Sequence, residues 1–459
     1  MFYFLNLITL TNVAEVNPAQ SSKGHKSVVH MAKSQEKSLF ETGWYKSLRY
    51  NVIPPIFVLI FTAAVQWLAL LGDNPCPLDL EQCPRLLGSV HAWILTCSYL
   101  LWVFVWLWIP DKKFKGPVSP EGEIPEYQDN GFQFYVATCI LFCALQFMNP
   151  LLSAIIVDNF PEILACLSIV ALLLCVWLCI SGRIIKGKVQ QGASFVYDFY
   201  RGCELHPKFL GCDAKQLTVS RLGMSLWQVL ILAAFFVGPK QAPEVVSLAL
   251  QTIYIAKFFW WENGYYTTLD ITYDRAGYYL CWGGSVWIPA LFPLSQMYMV
   301  RYQSTLSAFG AALIFITGLT ATVIEYQIDK EKEVFVAWRQ NYVKRKAKPY
   351  KMWGKQVEFL EVQYLNDQGQ QVKSALLTSG FWGKARHLNY TCELICCFTL
   401  CVTAAFGTSW FMPLFYFYFI AALIPHRILR DEEKCSKKYG QFWNKYCNLV
   451  PYRLIPGLF

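Results

Sequence analysis

Residues 379–390 read SGFWGKARHLNY and bring Trp382, Lys384, Arg386, His387, Asn389 and Tyr390 within nine residues of one another. Residues 426–453, HRILRDEEKCSKKYGQFWNKYCNLVPYR, add Arg427, Arg430, Asp431, Lys434, Lys437, Lys438, Tyr439, Trp443 and Tyr446. Guanidinium forks and ammonium groups suit phosphates, and Trp and Tyr stack on flat rings, so the two stretches match a polyanionic ligand with aromatic bases, such as a dinucleotide. A third stretch, FFWWENGYYTTLDITYDRAGYY (258–279), holds Glu262, Tyr265, Asp270, Tyr273 and Asp274, groups able to handle protons. The plainer alternative is that juxtamembrane Lys and Arg bind lipid head groups and that Trp and Tyr form an interface belt. Asp431, flanked by Arg430 and Lys434, argues against it, because lipid binding needs no carboxylate there. No GxGxxG, GxxxxGK[ST] or HExxH is present, and the six histidines show no ligand spacing with cysteines, so no metal site is expected.

These residues must be positioned by a chain that is mostly lipid-soluble. Of 459 residues, 55% are apolar, 17% aromatic and only 15% charged, and the mean hydropathy is positive, which departs from a soluble average towards an integral membrane protein. A helix needs roughly 20 mostly apolar residues to cross the hydrocarbon core, and about ten stretches approach this: 52–71, 88–109, 133–157, 162–182, 221–238, 244–261, 278–300, 304–325, 391–407 and 409–425. The expected fold is an all-α membrane protein with a C-terminal cofactor pocket on the cytoplasmic side. With both termini cytoplasmic, the opposite-side loops hold only Arg85, Lys240 and Arg301, as the positive-inside rule requires. The net charge of +9 is then a topology signal, and nucleic acid is not an expected partner. Residues 1–51 read as a partly disordered cytoplasmic lead-in with Met31 as an alternative start, 52–459 as one multi-span domain, and 330–459 as its cofactor-binding part. Most of the 17 cysteines sit in apolar runs such as CELICCFTLC and serve packing, while Cys76 and Cys83 are candidates for pairing in an oxidising compartment.

Ionisable residues are scarce inside the spans, which disfavours a transporter and puts the site near one membrane face. Five segments in order, FKGPVSPEGEIPEYQDNG, GCELHPKF, LDITYDRAGYYLCWGGSVWIP, SGFWGKARHLNY and HRILRDEEKCSKKYGQFWNKY, resemble the membrane sterol reductases. That family contains the 7-dehydrocholesterol and Δ14-sterol reductases and the sterol-reductase domain of the lamin B receptor. The tail PYRLIPGLF is similar to the 7-dehydrocholesterol branch, whereas Tyr273 and Gly284 replace a His and an Asp common in the family, leaving Δ14 and Δ24 bonds as alternatives.

The resemblance implies NADPH as hydride donor and a sterol entering from the bilayer. By motif position it implies cofactor contacts at Arg345, Leu377, Trp382, Asn389, Tyr390, Asp431, Cys435, Ser436, Lys437, Lys438, Tyr439 and Tyr446, with Asn341 where a Lys is expected. Reducing a ring double bond needs a proton as well as a hydride. The resemblance assigns the proton to Tyr265 with Asp431, and Glu262 is a candidate relay. Asp270, Tyr273, Asp274, Arg386, His387, Arg427 and Arg430 are supporting or substrate-side candidates, with Asp270 and Asp274 alternatively capping a helix or pairing with Arg275. Eukaryotic relatives imply the endoplasmic reticulum and a bacterial source the inner membrane. A membrane methyltransferase and a non-catalytic sterol-binding receptor are the competing readings.

Overall fold

The computed structural model describes residues 47–71, 86–119, 121–187, 194–343, 350–365 and 371–459. Cys76, Cys83, Met31 and Arg345 lie outside the described residues. The main helices are α1 (Ile53–Leu71), α2 (Val90–Trp108), α3 (Gly131–Met148), α4 (Phe160–Lys186), α5 (Gln216–Val237), α6 (Ala242–Trp260), α7 (Tyr278–Trp287, continued by Ile288–Leu291 and Leu294–Met299), α8 (Ala308–Val343), α9 (Leu388–Val402), α10 (Phe415–Tyr439) and α11 (Gln441–Leu449).

Among the described residues six helices, rather than ten, are long and apolar enough to cross a membrane: Tyr50–Trp67, α2, α3, α4, α5 and Ala308–Arg339 of α8. One of the six is shorter than expected, and the other four expected spans are helical but differ for local reasons. The 133–157 segment breaks after Met148, where Asn149 and Pro150 separate α3 from a short helix, Leu152–Asp158. α6 carries Glu244 and Lys257, α7 is divided into three pieces, α9 has only 15 residues, and α10 contains Pro425 and turns strongly charged beyond it. The chain is also not all helix. Among the described residues, four antiparallel two-stranded pairings lie between the helices, the largest joining β1 (Phe359–Leu365) to β2 (Gln371–Leu377) in the register Phe359 to Leu377.

Local chemistry sets the ends. α4 opens with Pro161 in its first turn, where the missing N–H costs nothing, and stops at Gly187, whose φ of 75° suits a glycine. α5 begins in π-helical turns (Gln216–Met224) that face the π-helical Tyr278–Trp287 of α7. Glycines let the two backbones meet: a Cβ on Gly223 would fall 2.1 Å from the Gly284 carbonyl oxygen, and one on Gly284 would press on Val219. An Asp at position 284, the residue that the resemblance leads one to expect, would therefore have no room here.

A single large core joins α1 to α7 with α9 and α10, centred on fully buried Trp227 and Trp282. α8 packs along α6 and α9 and runs past them as a polar extension. Together, α6, α8, α9, α10 and the β1–β2 hairpin frame the candidate site.

Candidate functional site

The residues Asp431, Lys434, Cys435 and Lys438 recur at helical spacing, so the polar half of α10 presents them on one face. Opposite stand Asp329 and Lys332 of α8 and the start of α9 with His387, Asn389 and Tyr390. Asn389 Nδ2 donates to Asp329 Oδ1 at 3.0 Å, which leaves Asn389 Oδ1 buried without a partner. The His387 ring stacks on Tyr390 (5.5 Å, 4°), and its Nε2 is likewise buried and unpartnered. Asp431 lies within electrostatic reach of His387, Tyr390 and Lys434.

Cations line this face. Lys332 Nζ sits 4.3 Å over the Trp382 ring and influences His387 and Cys435. Lys434 Nζ lies 3.6 Å over Tyr273, and Lys438 Nζ 4.4 Å over Tyr364 of β1. Burial lowers the Lys434 ammonium to about 8, against the opposing pull of Asp431. Burial also lowers His387 to about 4, so its imidazole is neutral at physiological pH and Nε2 can accept or donate but carries no charge. Cys435, Tyr439 and Tyr446 pack with Trp443, Leu360 and Leu376 into a small apolar cluster that braces α10 and α11 against the hairpin.

The second group of candidates sits between α6 and α7. Tyr265 packs on Phe258 (5.0 Å) and Tyr266 (5.7 Å), and burial raises its hydroxyl while nearby Arg427 opposes the shift. Glu262 does not hydrogen-bond Tyr265 as a relay would. Its Oε1 accepts from the Tyr266 hydroxyl at 3.0 Å, from Ser220 and from buried Arg221. The acids of the following turn pair with distant arginines rather than with Arg275. Asp274 Oδ1 and Oδ2 take both Arg430 amines, at 2.5 and 2.8 Å, and Oδ1 also takes Arg201 NH2 at 2.8 Å. Asp270 pairs with Arg427, while Arg275 reaches Glu121 at 3.4 Å. Burial would raise the Asp274 carboxyl, but the two guanidiniums outweigh it and hold it well below the usual carboxylate range.

Several residues expected to contact a ligand make structural contacts within the chain. Arg386 is buried, with Nε and NH2 on Glu432 Oε1 (3.1 and 2.8 Å) and NH1 on the carbonyls of Val450 and Pro451, so it clamps the C-terminal tail to α10. Trp382 and Leu377 share a core cluster with Ile328 and Phe335, and the Trp382 indole donates to Ile328 O at 2.8 Å. Lys437 pairs with Glu433 and is exposed with Ser436 on the opposite side of α10 from Asp431. That opposite side borders a groove of about 780 Å³ between Arg386, Glu432, Trp443 and Arg453. None of Asp431, Lys434, Lys438 or His387 lines it, so this groove is separate from the convergent polar groups. Asp329 and Lys332 escape sequence reading because they lie in the polar continuation of a span, where hydropathy has already stopped marking structure.

A family model described as the ergosterol biosynthesis ERG4/ERG24 family matches residues 55–459. The chain belongs to this sterol reductase family. It is 34% identical over 422 residues to a 7-dehydrocholesterol reductase of Arabidopsis thaliana, covering 88% of this chain and 95% of the relative. The identity to a 7-dehydrocholesterol reductase of Xenopus laevis is 32% over 488 residues, covering 97% of this chain and 100% of the relative. A Delta(14)-sterol reductase of Methylotuvimicrobium alcaliphilum is 28% identical over 380 residues, 81% of this chain and 83% of that one. Membership in the sterol reductase family makes the chain a membrane oxidoreductase that uses a reduced nucleotide cofactor, consistent with its apolar helices.

Proposed function

We propose that the chain reduces the C7–C8 double bond of a 7-dehydrocholesterol-type sterol with NADPH. The observation that carries the cofactor half is the juxtaposition of the two orphaned polar atoms, His387 Nε2 and Asn389 Oδ1, with Asp431 and the cations Lys332, Lys434 and Lys438. A dinucleotide phosphate fits such a set: amide and imidazole for a carboxamide, ammonium groups for phosphates, and Tyr273, Tyr364 and Tyr439 for flat rings. Bound there, the cofactor supplies the hydride.

The remaining work belongs to the chain. A ring double bond lacks a carbonyl to polarise it, so a proton must arrive with the hydride, through a carbocation-like state shielded from water. Tyr265, dry and close to Arg427, is the proposed donor. Asp431 orients the cofactor side, and the ion pairs of Asp270 and Asp274 hold the donor segment against α10. The choice of double bond follows the relatives, since those named for 7-dehydrocholesterol match at 34% and 32% and the bacterial Δ14 reductase at 28%. We further propose the endoplasmic reticulum membrane, both termini cytoplasmic and sterol entry from the bilayer. Incubating membranes that contain the protein with NADPH or NADH and, separately, 7-dehydrocholesterol, a Δ14-sterol and a Δ24-sterol tests the reading. NADPH-dependent loss of the 7-dehydro substrate alone is the expected result, and conversion of a different sterol overturns the assigned bond.

A further inference from the structure

Below the candidate site, the facing sides of α6, α8 and α9 carry a set of ionisable groups that the proposed chemistry does not use. Lys257 Nζ of α6 bonds Glu325 Oε2 of α8 at 2.6 Å, with both side chains mostly buried. Glu393 of α9 stands beside this pair, accepts the Tyr254 hydroxyl on Oε1 at 2.7 Å, and sets its buried carboxyl against the carboxyl of Glu325. The other titratable side chains near it are the Cys397 thiol at 3.6 Å, itself hydrogen-bonded to Tyr416 of α10, the Cys392 and Cys396 thiols, and Tyr390 one turn towards the site.

Charge decides the state of Glu393. The Lys257–Glu325 pair is neutral as a unit, so an ionised Glu393 would be a surplus anion against the Glu325 carboxylate, with the Lys257 cation already engaged by Glu325 and only a phenol and a thiol left to bond it. Burying such a carboxylate costs several kcal/mol more than burying its acid form. The set is also continuous with the site. Glu325 lies one turn from Asp329 on α8, Glu393 one turn from Asn389 on α9, and Asp329 and Asn389 are bonded to each other, so the file descends only about 6 Å from the site. On the far side, Tyr254 and Tyr265 are both within electrostatic reach of Arg427.

We propose that Glu393, bonded by Tyr254 and set against the Lys257–Glu325 pair, is held protonated inside the bundle and is the proton reserve for the reduction. This rests on the sterol reductase reading above. In each turnover the π bond breaks, one carbon takes a hydride from the reduced nicotinamide, which is oxidised, and the other takes a proton from the donor tyrosine. The tyrosinate is reprotonated through Tyr254 from the Glu393 acid, which regains its proton from solvent by way of Asp329 and then Glu325, the carboxyl in reach of both. Glu393 is thus a positioning and supply residue that never touches the sterol carbon.

Infrared spectroscopy of the purified full-length protein at neutral pH, in H2O and D2O, tests the protonation directly. A carboxylic-acid carbonyl band that shifts in D2O and disappears in Glu393→Gln is expected, and its absence overturns the proposal whatever the enzyme reduces. The Gln variant keeps volume, neutrality and the Tyr254 bond, so it should fold and keep its KM for NADPH while kcat drops about 10- to 100-fold and the solvent isotope effect rises. Glu393→Asp should recover part of the rate. A Gln variant with wild-type kcat and isotope effect overturns the reserve role. A wild-type chain that reduces no sterol instead refutes the functional reading, and the band still reports the buried acid.

Discussion

Removing the charge of Asp274 should be the most damaging conservative change in the donor segment. Its side chain is 0% exposed and neutralises Arg430 and Arg201, which are 22% and 21% exposed. In Asp274→Asn three charge-assisted contacts are weakened and two largely buried guanidiniums lose their counterion. Breaking a buried pair from one side costs about 3–5 kcal/mol, and the partial exposure of both arginines places this case near the lower end, about 3 kcal/mol. For a chain of this size that corresponds to an unfolding midpoint lower by about 3–6 °C. The assay is built into the sequence: Cys166, Cys175, Cys281, Cys396, Cys397 and Cys401 are buried, so a thiol-reactive dye at fixed scan rate reports unfolding in detergent. Arg275→Ala is the control, because its pair with Glu121 is partly exposed and should move the midpoint by less than a degree or so. The folded Asp274 pKa lies below its unfolded value, so its contribution is complete above about pH 4 and is lost only as pH falls further; between pH 5 and 8 the difference between variant and wild type should be constant. An Asp274→Asn midpoint equal to that of the Arg275→Ala control would refute the reasoning.

Asp431→Ala should lower turnover by about 100-fold while the protein still inserts and unfolds near the wild-type midpoint, and full activity would remove Asp431 from the mechanism. Lys434 is a cation below about pH 8 and neutral above it, so KM for NADPH should climb between pH 7 and 9 and should not climb in Lys434→Arg; a flat wild-type profile would show that Lys434 does not meet the cofactor. Gly223→Ala places a methyl 2.1 Å from the Gly284 carbonyl, a backbone atom that cannot rotate away. It should cost about 1–3 kcal/mol in the same dye assay, and a wild-type midpoint would mean that the α5 and α7 backbones are not so close.

The membrane character, most helix positions and the gathering of polar side chains towards the C-terminus were legible because hydropathy and charge act locally. The spans fell short where punctuation mattered: Asn149 and Pro150 end α3, and Pro425 marks the point beyond which α10 turns polar. The β1–β2 hairpin had a signal that hydropathy windows overlook, β-rich runs on both sides of NDQG at 366–369. Pairings across the fold were not legible. Asp274 finds Arg201 and Arg430 rather than its neighbour Arg275, and Arg386 spends its donors on Glu432 and two carbonyls of the tail, because chain topology, not spacing, brings those groups together. Gly284 shows the converse, a residue whose small size is explained once Gly223 and Val219 are seen against it.

The most direct test of the central claim is isotope transfer into the product. Purified protein is incubated with 7-dehydrocholesterol and NADPH deuterated at the transferable position in H2O, and separately with unlabelled NADPH in D2O, and the sterol is weighed by mass spectrometry. The product should be one deuterium heavier in each experiment, the first label arriving as hydride and the second as proton, at the two carbons of the former C7–C8 bond. A product that takes no label from the cofactor, or no NADPH-dependent product at all, would contradict it.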